Sequence, residues 1–223
     1  MVQKKKRLRL PSAAKSSAGK NAATAEPKRR GRPRGYEPDV ALGKALDLFR
    51  KRGFAATSLD DLSAATGMNR PSLYGAFGDK RELYIKSYQR YRDDARAAMI
   101  DIFREELPIR ERLKRIYAVA LDIYLEGDSP RGCFTVVTAA SDAIADPEIR
   151  ALALDGFVEL DKGFASCFRR GKEKRELSPT ADVTALAQLA SATLHTIALR
   201  ARARVSRKEL EALVDGAIDM MCR

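Results

Sequence analysis

The chain has no tryptophan, one histidine and three cysteines among its 223 residues. A single histidine and no metal-spaced cluster argue against an enzyme. His195 stands among small and apolar residues, so it reads as an interface or core group rather than a catalyst. Cys133, Cys167 and Cys222 are odd in number and lack paired spacing, which leaves no disulfide framework and no zinc pattern. Reduced thiols in a cytosol are the simplest reading. A glycine-rich phosphate loop and a nucleophile elbow are both missing, and the carboxylates are scattered over amphipathic stretches, so an enzyme is not expected. Apolar runs are short. The best, residues 185–199, is interrupted by Gln188, Ser191 and His195, so no membrane contact is expected. The basic N-terminus also lacks the apolar core of a signal peptide. The expectation is a cytoplasmic protein without cofactor or metal.

What is abundant is Ala, Leu, Arg, Lys and Glu, and β-branched runs are sparse, which favours helix throughout. Hydrophobic residues make up 45% of the chain, enough for a folded core. The formal net charge is +12, and it is unevenly placed. Residues 1–35 hold twelve Lys or Arg against one acid, Glu26, so nearly the whole excess sits in an N-terminal arm. Low in apolar residues, this arm reads as disordered on its own and suited to nucleic acid, where phosphate neutralisation releases counterions. Its end, KRRGRPRGY, contains Gly31-Arg32-Pro33, the core of an AT-hook peptide, although no proline precedes Arg30. Two readings stand. Arg32 and Arg34 enter the minor groove, or the arm is a solvated tail that binds phosphates without preference.

Residues 58–80, SLDDLSAATGMNRPSLYGAFGDK, read as two short helices and the start of a third. Ser58 caps the first, and Gly67 supplies a left-handed stop. Asn69 caps the second, with Pro71 in its first turn, where a missing N–H costs nothing. Arg70, Ser72 and Tyr74 face outward and Leu73 and Phe77 inward, the layout of a helix-turn-helix. Asp79 and Glu82 form a capping box for the helix that follows. A first helix, from Pro38 to Lys51, precedes the motif with Leu42, Leu46 and Phe49 on one face and stops at Gly53.

With Arg52-Gly53-Phe54, Thr57-Ser58, Gly67, Leu73-Tyr74, Phe77 and Asp79-Lys80 in this order, the segment from about Val40 to Tyr91 resembles the DNA-binding domain of TetR-family transcriptional regulators. The resemblance implies a bacterial, nucleoid-associated regulator, a ligand-responsive homodimer acting as a repressor on a palindromic operator. It also implies an all-α fold of about nine or ten helices. The arm would span residues 1–35, the three-helix DNA-binding domain 36–82 and the ligand-binding and dimerisation domain 83–223. Carried over position by position, Arg70, Pro71 and Ser72 lie on the recognition helix, where the Arg70 fork fits guanine. Tyr74 and Lys80 match phosphate-contacting positions, and Thr57 or Ser58 would touch phosphate from the preceding helix. Asp60 and Asp61 depart from this pattern, since they would repel phosphate while suiting a helix amino end. The alternative is an architectural, AT-rich DNA binder dominated by the arm.

The rest reads as helical too. Tyr88 and Tyr91 carry the Asp79 helix to about Asp94, Ala95–Glu106 forms a separate piece before Pro108, and Ile109–Glu126 is a further helix. A buried helix is expected over Arg131–Ala145, another from Pro147 to a stop at Gly171, and the last two open at Asp182 and at the Ser206–Glu209 capping box. The family resemblance implies a pocket for a small apolar or amphipathic effector, with Tyr117, Leu121, Phe134, Val137 and Phe157 as lining, against the plainer reading that each is core. It implies a dimer seam on the two long helices, for which Phe157, Leu160, Phe164, Leu186, Leu194 and Ile197 are candidates. Cys133, after Arg131-Gly132, is either a thiol made reactive by a nearby cation or a small buried residue.

Overall fold

The computed structural model describes residues 37–127 and 131–223, and the arm, including Arg32 and Arg34, lies outside them. Among the described residues the fold is all-α, with no strand. Helix α1 (Pro38–Arg52), α2 (Leu59–Thr66) and α3 (Arg70–Phe77) precede the long α4 (Lys80–Arg104). Helix α5 (Ile109–Leu125) is followed by a π-helical turn (Thr135–Ala139) running into a short α6 (Ala140–Asp142). The chain closes with α7 (Pro147–Glu173), α8 (Val183–Arg202) and α9 (Arg207–Met221).

Local chemistry sets most helix starts. Ser58 and Asp61 exchange hydrogen bonds, Ser58 Oγ accepting from the Asp61 amide at 3.1 Å and Asp61 accepting from the Ser58 amide at 2.9 Å. The Asn69 side chain accepts from the Ser72 amide at 2.9 Å, and Asp79 and Glu82 close the box that opens α4. Each satisfies amides that the first helical turn leaves without partners.

Three boundaries differ from the sequence expectation. Ala95–Glu106 is no separate piece, because α4 runs unbroken to Arg104. Asp93 and Asp94 are exposed on its outer face, Asp94 pairing with Arg90 at 3.6 Å, and the chain leaves the helix at Glu105, ψ 147°, ahead of Pro108. Arg131–Ala145 is no regular helix; it holds Gly132 at φ 64° and then the π turn. Gly171 does not end α7. It is buried within the helix, where an added Cβ would lie 3.2 Å from Ile109 and 3.3 Å from Leu177. The stop comes at Arg175, a non-glycine residue at φ 59°, with the Glu176 amide donating back to the Gly171 carbonyl at 2.9 Å.

The three tyrosines of α4 form the seam between the head, α1–α3, and the rest of the chain. Tyr84 meets Phe49 of α1 edge-on at 5.0 Å, and Tyr84, Tyr88 and Tyr91 all pack edge-on against Phe134 at 5.3–5.8 Å. Such aromatic contacts add modestly to the burial itself.

Candidate nucleic-acid interface and internal cavity

Helix α3 turns Leu73 and Phe77 into the head core and leaves Arg70, Pro71 and Tyr74 exposed, with Ser72 half-buried. The Arg70 guanidinium is held by α2, donating to Asp60 Oδ1 from Nε at 3.0 Å and Nη2 at 2.7 Å. Asp60 is thus paired with the arginine instead of standing as a bare charge. Asp61 is likewise engaged. Its carboxyl is pulled down to about 2, first by the Ser58 hydroxyl and amide and then by Arg52, whose guanidinium is 2.7 Å away. At the amino end of α4, the Lys80 ammonium lies 4.3 Å from the centre of the Phe54 ring.

Two residues placed at phosphates by the resemblance are otherwise occupied. Thr57 is only 1% exposed, and its hydroxyl donates to the Gly53 carbonyl at 2.7 Å, closing the turn after α1. The structure makes it a turn residue. The Ser58 hydroxyl donates to Asp61 at 2.6 Å. Lys51, exposed in the last turn of α1, adds positive charge to the head, while Arg52 beside it is paired with Asp61.

The head and α4 are tied to the rest by polar side chains, of which Arg50 and Tyr84 are buried. Arg50, 4% exposed, donates from Nη2 to the carbonyls of Gly132 at 3.1 Å and Ile123 at 3.2 Å, its guanidinium 5.1 Å from the centre of the Tyr91 ring. Arg202 of α8 donates to the carbonyls of Arg50 at 2.9 Å and Lys51 at 2.7 Å. On α4, Tyr84 donates to Asp142 at 2.6 Å, and Arg81 bridges Asp146 and Glu148.

A cavity of about 280 Å³ lies between α4, α5, α7 and α8. Tyr91, Ala95, Met99 and Phe103 give it one wall, Ile123 and Tyr124 another, and Cys133, Phe157, Leu160, Leu194 and His195 most of the rest. Of the five lining residues proposed from sequence, only Phe157 faces this space. Tyr117, Leu121 and Phe134 are fully buried core, and Val137 packs beside Gly132. The wall that sequence reading missed is a stripe at i, i+4, i+8 and i+12 on α4, hidden by the supposed break at Asp94. Cys133 is buried on the cavity lining. His195 packs edge-on against Phe157 at 5.1 Å, and burial lowers its pKa, favouring the neutral ring.

The candidate seam is also redistributed. Phe164, Leu194 and Ile197 are buried inside the protomer, Leu160 and Phe157 line the cavity, and Leu186 is half-buried against the core. The large apolar residues that α7 and α8 leave exposed are Leu154, Val158, Leu189 and Leu199. No described helix is long and apolar enough to cross a membrane.

A family model described as bacterial regulatory proteins, tetR family, matches residues 41–86, and a tetracyclin repressor-like C-terminal domain matches residues 110–217. The chain belongs to the TetR family. It is a DNA-binding transcriptional regulator, and the relatives it matches are regulators rather than enzymes. This TetR-family chain is 29% identical over 184 residues to the HTH-type transcriptional repressor ComR of Escherichia coli, covering 82% of this chain and 88% of that one. It is 32% identical over 124 residues to the repressor BdcR of the same organism, covering 56% and 61%. Among solved structures, a cysteine mutant of the TetR-family regulator CifR, complexed with 26 bp double-strand operator DNA, matches with a TM-score of 0.77. Identity there is 28%, with 84% of this chain and 98% of that one covered.

Proposed function

We propose that this regulator is a homodimeric repressor that binds a palindromic operator through α3 and releases it when a small apolar or amphipathic molecule fills the cavity. It acts in the bacterial cytoplasm on nucleoid DNA. Residues 36–82 read the DNA and residues 83–223 bind the effector and pair the subunits. Arg70, Tyr74 and Lys80 present the reading face, with Pro71 and Ser72 beside them and Ser58 at its edge. Arg32 and Arg34 in the arm take the adjacent minor groove. The resemblance to operator-bound CifR and to the repressors ComR and BdcR supports repression.

The observation that carries ligand response is the buried Arg50. Its guanidinium links α1 of the head to the carbonyl of Ile123, which lines the cavity, and to that of Gly132, next to Cys133 on the same wall. A molecule that shifts this wall therefore acts on α1 directly, alongside the shift carried by α4. For pairing, one eight-residue helix reads too few bases for tight binding, and two-fold pairs read inverted repeats. Leu154, Val158, Leu189 and Leu199 supply the apolar seam.

The test is selection of random duplex DNA by the full chain and by a chain truncated to start at Gly35. The same inverted repeat from both supports the dimeric reader. Asymmetric AT-rich sequences from the full chain and nothing from the shorter one would sink it, and would favour the architectural reading in which the eleven excess charges of the arm dominate.

A further inference from the structure

Five buried tyrosines can be sorted by where their hydroxyls go. Tyr84 donates to Asp142, Tyr88 to Thr135 at 3.1 Å and Tyr117 to the Ala190 carbonyl at 3.0 Å. Tyr91 and Tyr124, 6% and 2% exposed, find no carboxylate or carbonyl acceptor among the described residues, and both line the cavity beside the Cys133 thiol. Their one side-chain acceptor is the Cys133 sulfur, which is weak and shared by both, so two poorly satisfied donors on one cavity wall point to a better acceptor that enters with a ligand. Burial also holds both phenols well above their ordinary pKa, which keeps them as donors at neutral pH.

Charge is confined to the mouth. Arg96 and Glu159 are exposed there and pair at 3.1 Å, while Arg92 donates to Glu159 at 3.2 Å and to the Leu152 carbonyl at 3.0 Å. The rest of the lining includes Met99, Phe103, Leu160 and neutral His195, and the nearest further charge, Arg50, lies behind the Tyr91 ring and is already engaged by the Ile123 and Gly132 carbonyls.

We propose that the cavity takes a neutral aromatic or alicyclic molecule bearing one hydrogen-bond acceptor, a ketone or ether oxygen, that receives the O–H groups of Tyr91 and Tyr124. This rests on the effector reading above and narrows its chemistry. Three probes of one ring system separate the contributions: 2-acetylnaphthalene, 2-ethylnaphthalene and 2-naphthoate, titrated calorimetrically into the full chain at pH 7. The ketone should bind roughly tenfold tighter than the ethyl compound, and the carboxylate weakest of all. In the double variant Tyr91→Phe, Tyr124→Phe, the ketone should fall to the affinity of the ethyl compound, which itself stays unchanged because both rings remain. Ethyl binding as tightly as ketone in the unaltered chain would overturn the acceptor, and naphthoate binding tightest would overturn neutrality; either outcome leaves the effector reading standing. If none of the three binds, the cavity is not an effector site and both readings fall together.

Discussion

The head and the rest of the chain are held together by different means. Helices α2 and α3 are eight residues each, too short to persist alone in water. Each is pinned at both ends by immediate neighbours: the Ser58–Asp61 box and Gly67 at φ 73° for α2, Asn69 and Gly78 at φ 84° for α3. Helices α4, α5, α7 and α8 run from 17 to 27 residues and, beyond the local caps that open α4, α7 and α8, are fixed from afar. Tyr117 reaches across to the Ala190 carbonyl, and Arg202 reaches the end of α1. Local fastening suits the proposed reading head, in which Arg70 and Tyr74 would be presented in one geometry whatever the rest does. Under the proposed function, long-range fastening around a cavity is what would make the larger half sensitive to what fills it.

Two left-handed glycines test this contrast most sharply. At Gly132, φ 64°, an added Cβ would lie 2.6 Å from the Ala198 carbonyl oxygen of α8 and 2.9 Å from Val137. Gly132→Ala should therefore suffer both strain and overpacking, about 3 kcal/mol or more in urea denaturation. At Gly67, φ 73°, nothing lies within 4 Å, and Gly67→Ala should lose only the conformational part, about 1–2 kcal/mol. Equal losses would erase the distinction. Next in size, Asn69→Ala removes one local cap at about 1 kcal/mol. Its effect should appear in operator affinity while 2-acetylnaphthalene binding stays as it was; a change in cavity affinity would mean that the head is not independently fastened.

The smallest effect is confined to acid. Arg81, aided by the Ile149 and Glu148 amides, holds the Asp146 carboxyl at about 2, below its ordinary 3.8. A depressed carboxylate pKa contributes stability that is whole above the ordinary value and lost as pH falls through the folded one. The unaltered protein should lose stability more steeply between about pH 4 and 2 than Asp146→Asn, followed by urea midpoints across that range. Parallel curves would remove Arg81–Asp146 as a fastening between α4 and α7.

The same contrast decides what could be read from residues alone. Caps made by Ser58, Asn69, Asp79, Asp182 and Ser206 lie within a few positions of what they cap, so the helix starts were legible. The end of α7 was not, because the left-handed position belongs to Arg175, a residue that does not announce it. Periodicity showed that α7 is amphipathic but not which stripe turns inward. Phe157, Leu160 and Phe164 on one side and Leu154 and Val158 on the other are equally apolar. Thr57 matched its motif by position, and only the fold shows its hydroxyl turned back to Gly53. The cavity was obscured by one misplaced helix break, since its α4 wall crosses Asp94.

Arg202 has a mechanical consequence. It sits one turn beyond Leu199, at the end of the helix that carries the proposed seam, and grips the last carbonyls of α1. In a pair joined through α8, each head is thereby gauged from the joint itself. In the proposed dimer the span between the two recognition helices would then be a caliper setting, and a small rotation of α8 at the joint would change which operator spacing the jaws can close upon.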